Sequence, residues 1–160
     1  MIKTYSVSVC CKGVDSYVNI IRVLQRKTEG SFLYDYQTVQ QALRLMRSHG
    51  YTEVPVVNRE GAYLGMIREG DFLWHLLDCG GYEQVRHQTV GTFLQRSNLP
   101  ALTITATDEQ LRSAALQSVC IPVVDDRGMF VGVIRREDIV RYFADKAGGM
   151  ERTAQMMVTA

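Results

Sequence analysis

The chain contains the same stretch twice. Residues 54–71, VPVVNREGAYLGMIREGD, align without a gap on residues 121–138, IPVVDDRGMFVGVIRRED, at an offset of 67 residues. Pro55/Pro122, Val56/Val123, Val57/Val124, Gly61/Gly128, Gly65/Gly132, Ile67/Ile134, Arg68/Arg135 and Asp71/Asp138 are identical pairs, and Tyr63/Phe130 keeps an aromatic ring. Upstream, TVQQALRLM at 38–46 matches TDEQLRSAA at 107–115 at an offset of 69, so the second copy is shorter between its first helix and Pro122. Self-similarity at a fixed period marks a duplicated structural unit of about 60 residues, and both copies must then build the same elements.

Each copy reads as β-α-β-β-α. Thr38-x-x-Gln41 and Thr107-x-x-Gln110 are capping boxes, in which the hydroxyl accepts from the third helical N–H and the Gln side chain reaches back. Val39, Ala42, Leu43 and Met46 fall at i, i+3, i+4 and i+7 and give that helix one apolar stripe, with Gly50 placed to end it. A buried strand follows (VPVV in the first copy, IPVV in the second), then a turn on Asn58–Gly61 or Asp125–Gly128, where glycine supplies a positive φ. The partner strand is Ala62–Ile67, and a helix from about Glu69 carries Phe72, Leu73, Leu76 and Leu77. A short strand, Ser31–Tyr34 in the first copy and Ala101–Ile104 in the second, precedes each unit's first helix.

The flanks are read more simply. Asp15 or Ser16 caps a helix through Val18, Ile21 and Leu24 that ends at Gly30, and Val90–Leu94 is its shorter equivalent. Cys79–His87, with Gly80-Gly81, reads as the linker; the tail beyond Lys146 has a Gly-Gly break and reads as frayed. The expected division is 1–30 as an N-terminal strand and helix, 31–79 as unit one, 80–94 as linker and short helix, 95–146 as unit two and 147–160 as a flexible tail.

Composition narrows the function classes. Eighteen basic against 17 acidic residues give a formal charge of +1, and no basic run exceeds Arg135-Arg136, so the clustered cations that bind polynucleotides are missing. Near-neutrality also favours self-association. The longest apolar runs, such as Val54–Val57 and Ile121–Val124, are far short of the ~20 residues of a transmembrane helix. The opening MIKTYSVSVCCKG alternates apolar with polar residues and reads as a strand instead of an export signal. Cys10, Cys11, Cys79 and Cys120 lack metal-ligand spacing and read as reduced thiols of a cytoplasmic protein. His49, His75 and His87 sit on separate elements, so no metal site is expected, and no nucleophile, zincin or phosphate-loop motif is present.

The h-P-V-V strand, the glycine turn, G-x-I-x-x-x-D at 65–71 and 132–138 and the Thr-led first helix, twice over about 31–145, resemble tandem CBS domains. These are the cystathionine-β-synthase-type units whose pairs form Bateman modules. The resemblance, closest to standalone bacterial versions, implies an α/β (α+β) fold of two βαββα units packed about a pseudo-two-fold axis, with two clefts between them. It further implies a regulatory ligand sensor and no enzyme: a module that binds AMP, ADP, ATP, S-adenosylmethionine or an adenine dinucleotide and passes occupancy to a regulated partner. No cofactor is required. A homodimer is expected through the last helix of each unit, Phe72–Leu77 and Ile139–Phe143; the alternative is a ligand-free dimerisation scaffold.

By the same resemblance Asp71 and Asp138 close the family's ribose motif. A carboxylate accepts from both ribose hydroxyls; the alternative is that each only complements the positive end of its helix. The family's Thr or Ser three residues earlier is Arg68 in one copy and Arg135 in the other. These arginines either contact phosphate, for which the guanidinium fork is suited, or pair with acids such as Glu69, Glu137 or Asp145. Adenine recognition would fall on Phe32, Leu33, Tyr34, Tyr51, Thr52, Glu53, Val54 and Pro55 in the first unit. In the second it would fall on Leu102, Thr103, Ser118, Val119, Cys120, Ile121 and Pro122. If one cleft is occupied, the expected one is built on Tyr34, Thr52 and Asp71, although strand packing explains Phe32 and Tyr34 equally well.

Overall fold

The structure, a computed structural model, describes residues 20–28, 31–94 and 101–158, with side chains described to residue 147. The expected strand at the N-terminus, its helix cap at Asp15 or Ser16, and Cys10-Cys11 lie outside these residues. A 3₁₀ turn, Ile20–Arg22, leads into β1, Gln25–Arg26. The first unit then runs β2 (Leu33–Tyr34), α1 (Val39–His49), β3 (Glu53–Val57), β4 (Tyr63–Arg68) and α2 (Glu69–Asp78), followed by α3 (Tyr82–Val85). After a 3₁₀ turn at Val90–Thr92 the second unit repeats the order as β5 (Leu102–Thr103), α4 (Asp108–Gln117), β6 (Cys120–Val124), β7 (Phe130–Arg135) and α5 (Arg136–Val158).

Both capping boxes form: Thr38 and Thr107 accept from Gln41 N and Gln110 N, while each Gln side chain returns to the cap N–H at 2.9 Å. Gly50 ends α1 in the left-handed region at φ 66°. In each unit the first short strand lies parallel to the central strand and the hairpin partner antiparallel, giving β2-β3-β4 in one sheet and β1-β7-β6-β5 in the other. The two hairpins share a register shift, at Val56/Val57 and at Val123/Val124. The duplication is therefore preserved at the level of single backbone irregularities.

Each unit has its own core. Leu33, Val39, Ala42, Met46, Val54, Ile67 and Phe72 fill the first; Leu111, Ile121, Val123, Ile134 and Ile139 are central to the second. A third cluster, Val57, Phe130 and Val133 with Phe32, Tyr34 and Tyr63 against it, seals the seam between units. At the hairpin tips Tyr63 N–H donates to Gly128 O at 3.1 Å and Phe130 N–H donates to Gly61 O at 2.9 Å. These contacts are reciprocal under the repeat offset, as two like surfaces related by a two-fold axis require. Gly61 and Gly128 turn there at φ 88° and 78°.

Two expectations about the flanks differ from the structure. The N-terminal helix carrying Ile21 and Leu24 is replaced by the 3₁₀ turn and β1, because pairing with the β7 edge satisfies backbone groups that a helix would have bonded internally. Ile20, Val23 and Leu24 pack on the second core while Ile21 is 66% exposed, so the i, i+3 stripe was misleading. Within the expected linker, α3 buries Val85 completely in the first core. The tail does not fray at Gly148-Gly149, since α5 continues to Val158. Glycine costs a helix only about 1 kcal/mol per residue, which weakens helical geometry without forbidding it.

Candidate functional site

A cleft of about 790 Å³ opens between the two units. Its walls come from the segment just before Pro55, namely His49 to Glu53, from the equivalent Val119 and Cys120, from β1, and from the start of α5. The repeat dictates this convergence, since pseudo-symmetry brings each unit's pre-proline residues to the same axis. One wall is aromatic, with the His49 and Tyr51 rings stacked at 5.2 Å and 14°. The lining also carries three cations, Arg26, Arg135 and Arg136. The amino end of α5 borders the cleft, where Arg136 N–H donates to Val119 O at 2.9 Å and the positive end of the helix dipole favours an anion.

At the cleft floor Glu53 joins the units. Its carboxylate accepts from Cys120 N at 2.7 Å, from Ser118 Oγ at 3.0 Å and from Arg68 Nε at 3.1 Å. Glu53 and Cys120 are repeat equivalents, so the bond cannot be reciprocated and the site is asymmetric. Burial, and then the Glu53 carboxylate, push the Cys120 thiol up to about 12 against the opposing Arg135 charge. Burial also pushes the Tyr63 phenol up; its hydroxyl is buried with no hydrogen-bond partner among the described residues.

Of the residues singled out from sequence, Tyr51, Thr52, Glu53, Pro55, Cys120 and Arg135 line this cleft together. Thr103, Ser118, Ile121 and Pro122 line a smaller groove of about 290 Å³ beside α4, whose other walls include Leu102, Ala106 and Gln110. Asp138 lines a third cleft, about 750 Å³, between the residues from Arg22 to Gln25 and α5; it accepts from Gln25 Nε2 at 2.9 Å and from Arg141 at 3.4 Å. Val54 is buried in the first core.

Of the expected grouping of Tyr34, Thr52 and Asp71, Thr52 is the member that lines this cleft. Phe32 and Tyr34 are spent on the inter-unit seam, with Phe32 edge-on to Phe130 at 5.8 Å and Tyr34 stacked on Tyr36 at 5.0 Å. Asp71 closes the N-terminus of α2 by accepting from Arg68 N at 2.7 Å. Arg68 pairs with Glu53, and not with the expected Glu69, because the antiparallel register sets Glu53 directly opposite. Arg135 reaches Glu137 at 3.7 Å, one of the expected acids, while it also lines the cleft.

Sequence reasoning missed Arg26, His49 and Arg136. Arg26 lies outside the repeat, and its position depends on a strand pairing that two residues of sequence do not announce. Arg136 had a weak signal, as half of the only double-arginine run. Among the described residues no group of His, Cys, Asp and Glu could hold a metal ion, and no helix is long and apolar enough to cross a membrane.

Comparison with known proteins places this architecture. Among solved structures, CbpB in complex with c-di-AMP superposes with a TM-score of 0.75 at 17% identity, covering 87% of this chain and 91% of that one. CBSX2 in complex with AMP gives a TM-score of 0.62 at 18% identity, covering 78% and 95% of the two chains. A homoserine O-acetyltransferase of Methanococcus vannielii is 26% identical over 114 residues, 68% of this chain. The match takes in only 22% of that enzyme's length and does not establish catalysis here. The sequence profile of the CBS domain matches residues 32–78 and 94–145, one segment for each copy of the repeat. With more than half its residues matched and both units folded as β-α-β-β-α, the chain belongs to the CBS-domain family as a tandem pair.

Proposed function

We propose that this chain is a regulatory module that binds an adenine-containing nucleotide in the cleft between its two units and passes occupancy to a partner. The observation that carries the reading is the cleft itself: the stacked Tyr51/His49 pair and three arginines, Arg26, Arg135 and Arg136, line one space of about 790 Å³. A nucleotide has the matching polarity, with an apolar planar base at one end and phosphate at the other. In this reading Tyr51 stacks a base, Thr52 and the Glu53 carboxylate meet its polar edge, and the arginines take phosphate, supported by their common place in the cleft lining. Asp138 lines the neighbouring cleft and its two oxygens accept from Gln25 and Arg141, so no ribose contact is assigned to it. CBS units are typically regulatory, and the solved complexes of CbpB with c-di-AMP and CBSX2 with AMP support the ligand class.

Transmission follows from linkage, because a ligand touching both units favours whichever relative arrangement it binds better. A thermal-shift panel of AMP, ADP, ATP and cyclic di-AMP tests the reading. At a hundred times Kd one bound ligand adds about 2.7 kcal/mol to stability, or roughly 5–11 °C for a chain this size. No shift with any of the four removes it. A second reading, a ligand-free dimerisation module, is favoured by the exposed Leu73, Trp74 and Leu77 on α2, at 51%, 64% and 64%. In that case the nucleotide panel is silent while light scattering reports a dimer.

A further inference from the structure

β1 belongs to neither copy of the repeat, yet both its residues, Gln25 and Arg26, line the cleft. Its seat is well defined. Gln25 pairs with Val133 and Arg26 with Gly132, and Lys27 N–H donates to Val131 O at 3.0 Å. A Cβ on Gly132 would lie 2.2 Å from Gln25 O, so the glycine is what lets β1 come this close. Ile20, buried in the second core, holds the leading end, and Gln25 Nε2 bonds Asp138.

Arg26 has no ion pair among the described residues, whereas Arg135 leans on Glu137 and Arg136 donates to Ser118 O at 3.3 Å. Arg26 faces Gly132, three residues along β7 from Arg135. At about 3.3 Å per residue the two backbone anchors are separated by roughly 10 Å along the strand, much more than the width of one phosphate. Resting on the nucleotide reading above, we infer that Arg26 is a specificity-determining residue that receives a second anionic group. The first phosphate sits at Arg135 and Arg136, and the cleft thereby favours a ligand with two separated phosphates over a mononucleotide.

Calorimetric titration of the full chain with cyclic di-AMP and with AMP, at about 0.15 M salt, tests this in wild type, Arg26→Gln and Arg26→Lys. Arg127→Gln, on the distant hairpin turn where Arg127 pairs with Asp125, is the control. Arg26→Gln weakens cyclic di-AMP about tenfold, as expected for one lost charge-assisted contact, and changes AMP by less than about twofold. Arg26→Lys keeps the charge and recovers part of the loss, and Arg127→Gln binds like wild type. Equal losses for both ligands, no loss for either, or the same loss in the control overturns the inference while leaving the nucleotide reading in place. Wild type binding neither ligand overturns both.

Discussion

Replacing Glu53 by alanine tests how the two copies are held in one body. The carboxylate is buried and receives three donors, two of them from the other unit. In Glu53→Ala the Ser118 hydroxyl keeps its bond to Cys120 O at 2.8 Å, and Arg68, with 49% of its side chain exposed, turns to water. Cys120 N–H is left with only a 3.4 Å contact to Ser118 Oγ. The loss is therefore close to one charge-assisted backbone bond, worth about 1.5–3 kcal/mol. Relief of the carboxylate's own burial penalty pulls the net toward 2 kcal/mol, or about 4–8 °C in Tm for a chain of this length. Glu53→Gln keeps an oxygen toward Cys120 and Ser118 and turns its amide toward Arg68, so its cost is that of a half-exposed ion pair, below about 1 kcal/mol. Urea unfolding of the three proteins gives the comparison. If Glu53→Ala lies within about 0.5 kcal/mol of wild type, or if the glutamine variant loses as much as alanine, the inter-unit bonds are not what Glu53 contributes.

Three further outcomes follow from the same seam. The Cys120 thiol, pushed up to about 12, stays protonated where exposed thiols ionise, so peptide mapping after iodoacetamide at about pH 8 finds Cys79 alkylated and Cys120 slower by a factor of roughly a thousand or more. Equal labelling refutes its burial. The linked stability is fully present below the unfolded thiol pKa of about 8.5 and is lost as pH rises from there toward 12, which pH-dependent urea melts will show as a progressive fall. Tyr63→Phe removes a buried hydroxyl that has no partner among the described residues and raises stability by about 1 kcal/mol in thermal melts. A loss of similar size there would mean the hydroxyl is satisfied.

The repeat made most of the fold legible. Capping threonines, the proline-led strands and the hairpin glycines are local signals whose meaning does not depend on the rest of the chain, and each forms as the sequence indicates. The flanks were not legible, because β1 is defined by the edge it pairs with and α3 by the core that takes Val85. The site lay between these cases. The pre-proline residues and Arg135 were readable from the repeat, but the partner of each side chain was not. Phe32 and Tyr34 went to the seam because an aromatic on a half-buried strand packs wherever the facing unit presents apolar surface, and Phe130 presents it. Arg68 went to Glu53 through a strand register that no helical spacing reveals.

Amide chemical-shift mapping with cyclic di-AMP or AMP tests the inter-unit nucleotide site most directly. The cleft reading predicts saturable shifts centred on Tyr51–Glu53, Val119–Cys120 and Arg135–Glu137, with Gln25 and Arg26 moving in the same titration. Shifts confined to the α4 groove around Thr103 and Ser113, or none at all with either nucleotide, would contradict it.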